Sequence, residues 1–326
     1  MIVFDNVKKI LDGKTVLDLK ELTIPKGALY GLIGANGAGK STMLRLISGV
    51  YTADEGVVSV DGENILDNAK MKEKLFFVPD DSYFLPQATL NDMASFYQTY
   101  YRNFDYELYR QLCASFDLPI KDKIISYSKG MKRQAIILLA LSTHPEYLLL
   151  DESFDGLDPV MRQKVRRILV DIDEALVADT AAGVGGSDHP AKLGVMLAYA
   201  LCREYGGKMY TVNPTNVDEL CDYVGVVYQG KLLYNIAMEE LKKRIHKYQL
   251  AFSSPVTEEY LSRFSLLSCK IVGKFVTIVA KGEAEILEQK INMLKPLAME
   301  KFPLTLEEIF IYEMEAKGYD YKNIFA

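Results

Sequence analysis

The chain has 326 residues, of which 49% are hydrophobic and 25% are charged, a composition typical of a globular protein long enough for about two domains. Its net charge of -6 argues against the basic surface that nucleic-acid binding requires, so we expect no nucleic acid as a partner. The apolar runs IILLAL and LGVMLAYALC are much shorter than the ~20 residues that a membrane-spanning helix needs.

The cysteines and the first residues indicate a cellular location. Cys113, Cys202, Cys221 and Cys269 are scattered, with neither metal-site spacing nor a pairing pattern, which suits a reducing compartment. The first ten residues, MIVFDNVKKI, lack the layout of a signal peptide. We therefore expect a cytoplasmic protein whose membrane role, if it has one, comes through a partner.

The first part of the chain is predicted to be α/β. IVFDNV and KTVLDLKELTI are expected to be strands around a turn at Asp12-Gly13, and GVVSVDGENI predicts a second hairpin that turns at Asp61-Gly62. Between them, the apolar run ALYGLI indicates a buried strand, and STMLRLISGV indicates the helix that follows it.

The stretch GANGAGKST joins this buried strand to this helix and fits the phosphate-binding pattern G-x-x-x-x-G-K-[ST]. Its glycines allow backbone N–H groups to turn inward around a phosphate, and the helix directs its positive end to the same place. We expect Lys40 to reach the β- and γ-phosphates and Ser41 to ligate Mg²⁺. The expected nucleotide-binding residues of this loop are Gly34, Asn36, Gly37, Ala38, Gly39, Lys40, Ser41 and Thr42.

From about residue 86 to 140 the alternating pattern stops. NDMASFYQTYYRNF, YELYRQLCASFDL and KGMKRQAIILLAL predict helices, which indicates an inserted helical subdomain. The strand EYLLLDE then returns to the sheet. Asp151 at its end is expected to hold Mg²⁺ through water, and Glu152 is expected to orient or deprotonate the attacking water.

Near residue 247 the character of the chain changes again. KYQLAFSS, the paired strands within CKIVGKFVTIVAKG and the helix ILEQKINMLK indicate a small α/β appendage. Thr305 and Glu308 form the pattern of a capping box at the start of a closing helix. We predict a first domain over residues 1–244 and an accessory domain over 245–326.

These features in this order, with YSKGMKRQ between them and FDGLD after them, closely resemble the nucleotide-binding subunit of an ATP-binding cassette (ABC) transporter over about residues 1–240. The resemblance implies a P-loop NTPase fold of the α/β class, ATP and Mg²⁺ as cofactors, and ATP hydrolysis coupled to transport. It also implies that two copies dimerise around ATP and that a separate permease chain holds them on the inner face of the cell membrane.

The signature stretch of this family appears here as YSKGM, residues 127–131. The resemblance implies that Ser128 and Gly130 bind the γ-phosphate held by the opposite subunit and that Asp158, which ends FDGLD, crosses the dimer interface. The lysine and methionine of this stretch depart from the usual LSGGQ, and they resemble the variant of single-cassette exporters whose permease is a separate chain.

Two further departures concern the nucleotide. Ile10 or Leu11 stands where the family has an aromatic residue stacked on adenine, so the base contact would be apolar and nucleotide selectivity is left open. Asp80, after the strand KLFFVP, stands where the family has a glutamine that touches Mg²⁺ and water. Its carboxylate can still ligate a hard cation, although it adds a negative charge near the γ-phosphate. The expected catalytic set is Glu152, Lys40 and Asp80.

The last departure concerns a histidine that contacts the γ-phosphate in the family. Residues 171–214 are unlike the family, and the best strand before the resemblance resumes is KMYTVNP. In that case Pro214 or Thr215 holds the position of the histidine. The alternative is His189, with AAGVGGSDH as the sheet strand, although this stretch is poor strand material.

Two functions therefore stay open. The chain is either an ATPase that drives a permease, or an ATP-binding regulatory subunit that hydrolyses ATP slowly or not at all. The C-terminal stretch LTLEEIFIYEMEAKGYD resembles the tails of exporter subunits and favours the first function. The missing histidine favours the second.

Overall fold

The structure is a computed structural model. It describes residues 1–153, 157, 160–161, 163–165, 167–168, 194–200, 202–205, 208–211, 221–257, 261, 264, 266–305, 308–309 and 311–312. Within these ranges the strands form four sheets, three of them of four or six strands and one of two strands.

The first sheet is antiparallel and contains the two predicted hairpins. Its strands, in the order β2-β1-β4-β5, are β1 (Ile2–Leu11), β2 (Lys14–Ile24), β4 (Glu55–Val60) and β5 (Glu63–Asn64). Both turns have positive φ at their two central residues, Asp12-Gly13 and Asp61-Gly62, as two-residue hairpins of this twist require. The predicted hairpins are therefore confirmed.

The central sheet positions the candidate site. Its order is β12-β11-β3-β8-β7-β6, with β3 (Leu29–Gly34), β6 (Leu75–Val78), β7 (Tyr147–Asp151), β8 (Gly194–Ala200), β11 (Tyr223–Tyr228) and β12 (Lys231–Ala237). All neighbouring pairs are parallel except β11 with β12. The carboxyl ends of β3, β8, β7 and β6 therefore meet at one edge, the edge at which open α/β sheets bind ligands.

The expected helical subdomain is present. The helices of the first part of the chain are α1 (Lys40–Ile47), α2 (Ala69–Glu73), α3 (Leu90–Tyr100), α4 (Tyr106–Phe116) and α5 (Lys129–Ser142). Thr89 and Asp92 form a reciprocal capping box on α3, and Asp105 caps α4. None of the helices in the described ranges has the length and apolar character that crossing a membrane requires.

The prediction that KMYTVNP joins the central sheet was wrong. Its first four residues form β10 (Lys208–Thr211), which pairs with β9 (Cys202–Tyr205) in a separate two-stranded sheet. The strand between β3 and β7 is instead GVMLAYA, β8. A central parallel strand has neighbours on both sides and both faces covered, which favours this apolar run over a lysine-led one. The alternative strand AAGVGGSDH lies outside the described residues.

The C-terminal elements form the predicted small α/β unit. After α6 (Met238–Arg244), they are β13 (Ile245–Ala251), β14 (Leu266–Val272), β15 (Phe275–Lys281), α7 (Ala284–Met293) and β16 (Ala298–Phe302). The sheet order is β14-β15-β13-β16, and β16 was not predicted. The capping box is confirmed, because the Glu308 N–H donates to Thr305 Oγ1 and the Thr305 N–H donates to Glu308 Oε2.

This unit packs on the rest of the chain. Ile245 and Val279 belong to the same buried cluster as Leu241 and the apolar residues of α5. A second cluster, around Tyr248 and Ile278, belongs to the C-terminal sheet itself. The boundary at residue 244 stays a prediction.

Candidate nucleotide-binding site

The loop between β3 and α1 has a backbone that only glycine permits at several points. A Cβ at Gly34 would lie 2.3 Å from the Val227 carbonyl oxygen, closer than any contact allows. Gly37 and Gly39 have φ of 75° and 108°, which is left-handed or beyond, and Gly39 caps α1 without a side-chain hydrogen bond. Gly39 has no side chain that could accept from the first N–H groups of α1. A phosphate cradle needs these N–H groups as donors to the phosphate.

A turn that the sequence pattern did not single out supports this loop from behind. Gly230, between β11 and β12, donates its N–H to the Ala38 carbonyl at 2.9 Å and accepts from the Asp18 N–H at 2.7 Å. It has φ of 75°, and a Cβ there would lie 2.6 Å from the Val16 carbonyl oxygen. The stretch QGK between two apolar strand patterns is the sequence feature that could have predicted this turn.

Lys40 is folded back onto the loop. Its Nζ donates to the carbonyl oxygens of Gly34 at 3.1 Å and Ala35 at 3.0 Å, and the residue is 4% exposed. A buried ammonium held at a helix start by backbone carbonyls places positive charge where the loop directs its N–H groups. The residues present therefore fit a polyphosphate.

Ser41 and Asp151 meet at the carboxyl edge of the sheet, and their roles as magnesium ligands stay predictions. Ser41 Oγ donates to Asp151 Oδ1 at 3.0 Å, and Asp151 is 1% exposed. Burial raises the pKa of Asp151, and the hydrogen bond from Ser41 opposes that rise. A hydroxyl and a buried carboxylate in contact are oxygen ligands of the kind that Mg²⁺ takes.

These two side chains would hold a metal only together with other ligands. Among the described residues, no group of three or more His, Cys, Asp or Glu side chains could hold a metal ion. Mg²⁺ commonly keeps waters and shares one or two protein ligands with nucleotide phosphates. The donor set therefore fits Mg²⁺ bound with a nucleotide rather than alone.

Glu152 follows directly on β7 at this edge. Its φ is 48°, a left-handed conformation that is uncommon for residues other than glycine. Such conformations occur at functional sites more often than elsewhere. The turn takes the chain away from the sheet immediately after Asp151, so two successive carboxylates stand at the end of one strand.

The end of β8 lies between the loop and Asp151. Ala198 is the register partner of Asp151, and Ala200 is the register partner of Gly34. The chain then continues through Leu201 to Cys202, so neither Pro214 nor Thr215 directly follows this strand. Those two residues and His189 lie outside the described residues.

His189 precedes β8 in the chain. The strand begins at Gly194, whose register partner is Tyr147 at the far end of β7. The other two histidines of the chain are His144, which contacts Asp105 before β7, and His246 in β13. The sequence therefore has no histidine between the end of β8 and the start of β11, the next strand of the central sheet along the chain.

Asp80 lies two residues after β6, at the same edge, and forms an ion pair. Its Oδ1 accepts from Arg133 Nη2 at 2.6 Å, and Arg133 Nη1 donates to the Pro79 carbonyl at 2.9 Å. The pattern predicted the acid but gave no signal for its partner. The role of Asp80 as a magnesium ligand stays a prediction.

The signature stretch begins α5. Ser128 caps this helix, with its Oγ accepting from the Met131 N–H at 3.2 Å, and Gly130 lies in the first turn. The stretch is thus a helix start, as the predicted phosphate contact requires. No contact between it and the loop at Gly34–Lys40 occurs among the described hydrogen bonds, and Asp158 lies outside the described residues.

The expected apolar residues, Ile10 and Leu11, lie at the end of β1, just before the β1–β2 turn. Ile10 is 38% exposed, and its N–H donates to Asp54 Oδ2 at 2.6 Å. The register shifts between Lys9 and Ile10, which marks a bulge at this point. An exposed apolar side chain is available there, and its contact with a base stays a prediction.

Comparisons with known proteins agree on the family. A family model described as ABC transporter matches residues 17–155. The ABC transporter ATP-binding protein YtrB of Bacillus subtilis is 28% identical over 97% of this chain and 99% of the relative. The linearmycin resistance ATP-binding protein LnrL of the same species is 29% identical over 72% of this chain and 68% of the relative.

Solved structures agree on the fold. The dimeric ATP-binding cassette MJ0796, in a post-hydrolysis state bound to ADP and Pi, superposes with a TM-score of 0.56 at 20% identity. The match covers 73% of this chain and 99% of that chain. The P-loop NTPase fold expected from the sequence is confirmed.

Proposed function

Since the chain is an ATP-binding subunit of an ABC transporter, we propose that two copies close over two molecules of Mg-ATP and that this closure drives a separate membrane permease. The observation that carries the proposal is the convergence of the glycine loop, Lys40, the Ser41–Asp151 contact and Glu152 at one edge of the central sheet. This edge presents the charges and donors that a nucleoside triphosphate requires.

Each side chain has a role that follows from its chemistry. The loop N–H groups and Lys40 bind the β- and γ-phosphates, and Ser41 with Asp151 holds Mg²⁺. The metal supplies charge stabilisation at the phosphates. Glu152 accepts the proton of the water that attacks the γ-phosphorus, and ADP leaves. The other loop residues bind the phosphates through the backbone: Gly34, Asn36, Gly37, Ala38, Gly39 and Thr42.

The second half of each site comes from the other copy. Ser128 and Gly130 stand at the start of α5, so a γ-phosphate there receives donors from a helix N-terminus. The neighbouring subunit also supplies Asp158 at the interface. The MJ0796 cassette is itself dimeric with ADP and Pi bound, which supports this assembly.

The permease and its direction of transport are inferred from relatives. The name of LnrL refers to resistance to linearmycin, which suits removal of a compound from the cell. We infer an exporter that holds this chain on the inner face of the membrane. The cargo is chosen by the permease.

Hydrolysis is expected to be slow. The two residues that follow β8 are Leu201 and Cys202, and neither is a histidine. The site is therefore expected to lack one preorganised donor to the γ-phosphate. Loss of one such donor lowers turnover by about 10²–10³ in other enzymes. If turnover falls to the level of a chain without Glu152, the chain serves instead as a regulatory subunit that closes on ATP without hydrolysing it.

Steady-state phosphate release by the wild type and by His189→Ala tests this account. We expect a low rate that the substitution leaves unchanged, because His189 precedes β8 rather than following it. A brisk wild-type rate that falls by about two orders of magnitude in His189→Ala would contradict the assignment of the strand. The chain with Glu152→Gln gives the background rate in the same assay.

A further inference from the structure

The ion pair between Asp80 and Arg133 joins two parts of the candidate site that are 53 residues apart in the chain. Arg133 lies in the second turn of α5, the helix that Ser128 caps, and Asp80 lies just after β6. The guanidinium also donates to the Pro79 carbonyl, so two of its N–H groups hold the same short segment. The contact therefore fixes the segment after β6 against the signature helix.

The two partners differ greatly in exposure. The side chain of Arg133 is 4% exposed, whereas that of Asp80 is 60% exposed. Among the described residues, Arg133 Nε is buried without a hydrogen-bond partner, so the cation depends on Asp80 and Pro79 for its compensation. Asp80, in contrast, still faces solvent at the edge of the sheet where the nucleotide is expected.

The strand register brings this pair to the edge of the sheet where the phosphates are expected. Val78 at the end of β6 is the partner of Leu150 in β7, directly before Asp151. Neighbouring strands are about 5 Å apart. Asp80 therefore follows the strand that neighbours β7, the strand that ends at Asp151, whose carboxylate contacts Ser41. An isolated negative charge at this point would repel the terminal phosphate of ATP.

We propose that Asp80 and Arg133 work as one electrically neutral unit, in which Arg133 is a positioning residue that also cancels the charge of Asp80. The inference rests on the proposed function, because it needs a nucleoside triphosphate at this edge. The unit lets a carboxylate stand next to the γ-phosphate without the repulsion that the lone acid would cause. Asp80 Oδ1 accepts from Arg133, so its second carboxylate oxygen is the one that would contact Mg²⁺ or water, as the oxygen of a neutral amide would.

A purely structural ion pair predicts a different result. If Arg133 only holds α5 in place, its loss lowers the affinity for ATP and ADP by the same factor. If it cancels a charge beside the γ-phosphate, its loss weakens ATP more than ADP, because ADP has no γ-phosphate. The ratio of the two affinities therefore separates charge compensation from general damage.

The test measures the affinities of ATP and ADP with Mg²⁺ by calorimetry for the wild type, Arg133→Gln and the double variant Asp80→Gln/Arg133→Gln. We expect Arg133→Gln to lower the preference for ATP by about tenfold, as one uncompensated charge nearby predicts. The double variant is expected to regain the wild-type ratio within about twofold. Lys132→Gln removes the same charge from the adjacent residue of α5 and is the control.

An unchanged ratio in Arg133→Gln, or a double variant that does not regain it, would overturn the inference. If Arg133→Gln does not fold, Asp80→Asn allows the converse comparison, because it leaves the Arg133 cation uncompensated: the preference for ATP over ADP is then expected to rise, and an unchanged ratio would overturn the inference. Failure of the wild type to bind either nucleotide would instead count against the proposed function.

Discussion

Lys40→Ala is expected to abolish ATP binding. Lys40 is buried at the start of α1 and held by the carbonyl oxygens of Gly34 and Ala35, within the loop where the phosphates are expected. Charge-assisted hydrogen bonds contribute about 1.5–3 kcal/mol each. The loss of the two bonds that we expect from Lys40 to the β- and γ-phosphates therefore corresponds to a factor of about 100 or more in Kd. Calorimetry or a filter-binding assay with Mg-ATP measures this loss.

The controls separate binding from folding. Lys40→Met keeps the apolar stem and removes only the charge, so it should lose affinity to a similar extent while retaining the circular dichroism spectrum of the wild type. Lys20→Ala removes a lysine from an exposed position in β2 and should bind ATP normally. Unchanged affinity in both Lys40 variants would show that the loop does not hold the phosphates in the way we describe.

Glu152→Gln is expected to retain ATP binding and to accumulate as an ATP-bound homodimer. In the proposed function, closure requires the γ-phosphate and opening requires its loss, so a chain that cannot activate water is expected to stay closed. Glutamine is nearly isosteric with glutamate, so the local turn at φ 48° should be kept. Size-exclusion chromatography with light scattering, with and without Mg-ATP, measures the dimer.

The result depends on the γ-phosphate, which offers two internal controls. ADP should leave Glu152→Gln monomeric, and Glu21→Gln, on the exposed part of β2, should behave as the wild type. A Glu152→Gln chain that stays monomeric while saturated with ATP would contradict the closure that we propose.

The phosphate loop and the helical part could be predicted because local residues specify them. The glycines between β3 and α1 are required by positive φ or by close backbone contact, and this requirement leaves a fixed spacing in the sequence. The helix starts at Thr89 and Ser128 are likewise set by caps within three residues. Such features do not depend on distant parts of the chain.

The strand between β3 and β7 could not be predicted in this way. GVMLAYA is a short apolar run, and periodicity does not distinguish a buried strand from a helical segment of the same length. KMYTVNP had the stronger local strand pattern, yet the place in the central sheet depends on pairing with Leu29–Gly34 and Tyr147–Asp151. The partner of Asp80 was missed for the same reason, because Arg133 reaches it only through the packing of α5.

The most direct test of the central claim, that each ATP is enclosed by two copies, is the effect of Ser128→Asp on dimerisation of the Glu152→Gln chain. Aspartate caps a helix as well as serine does, so α5 should be kept, but its charge would face the γ-phosphate of the other copy. Light scattering should show a monomer that still binds ATP with unchanged affinity, whereas Ser128→Thr should form the dimer. A Ser128→Asp chain that dimerises with ATP as fully as its parent would contradict the account.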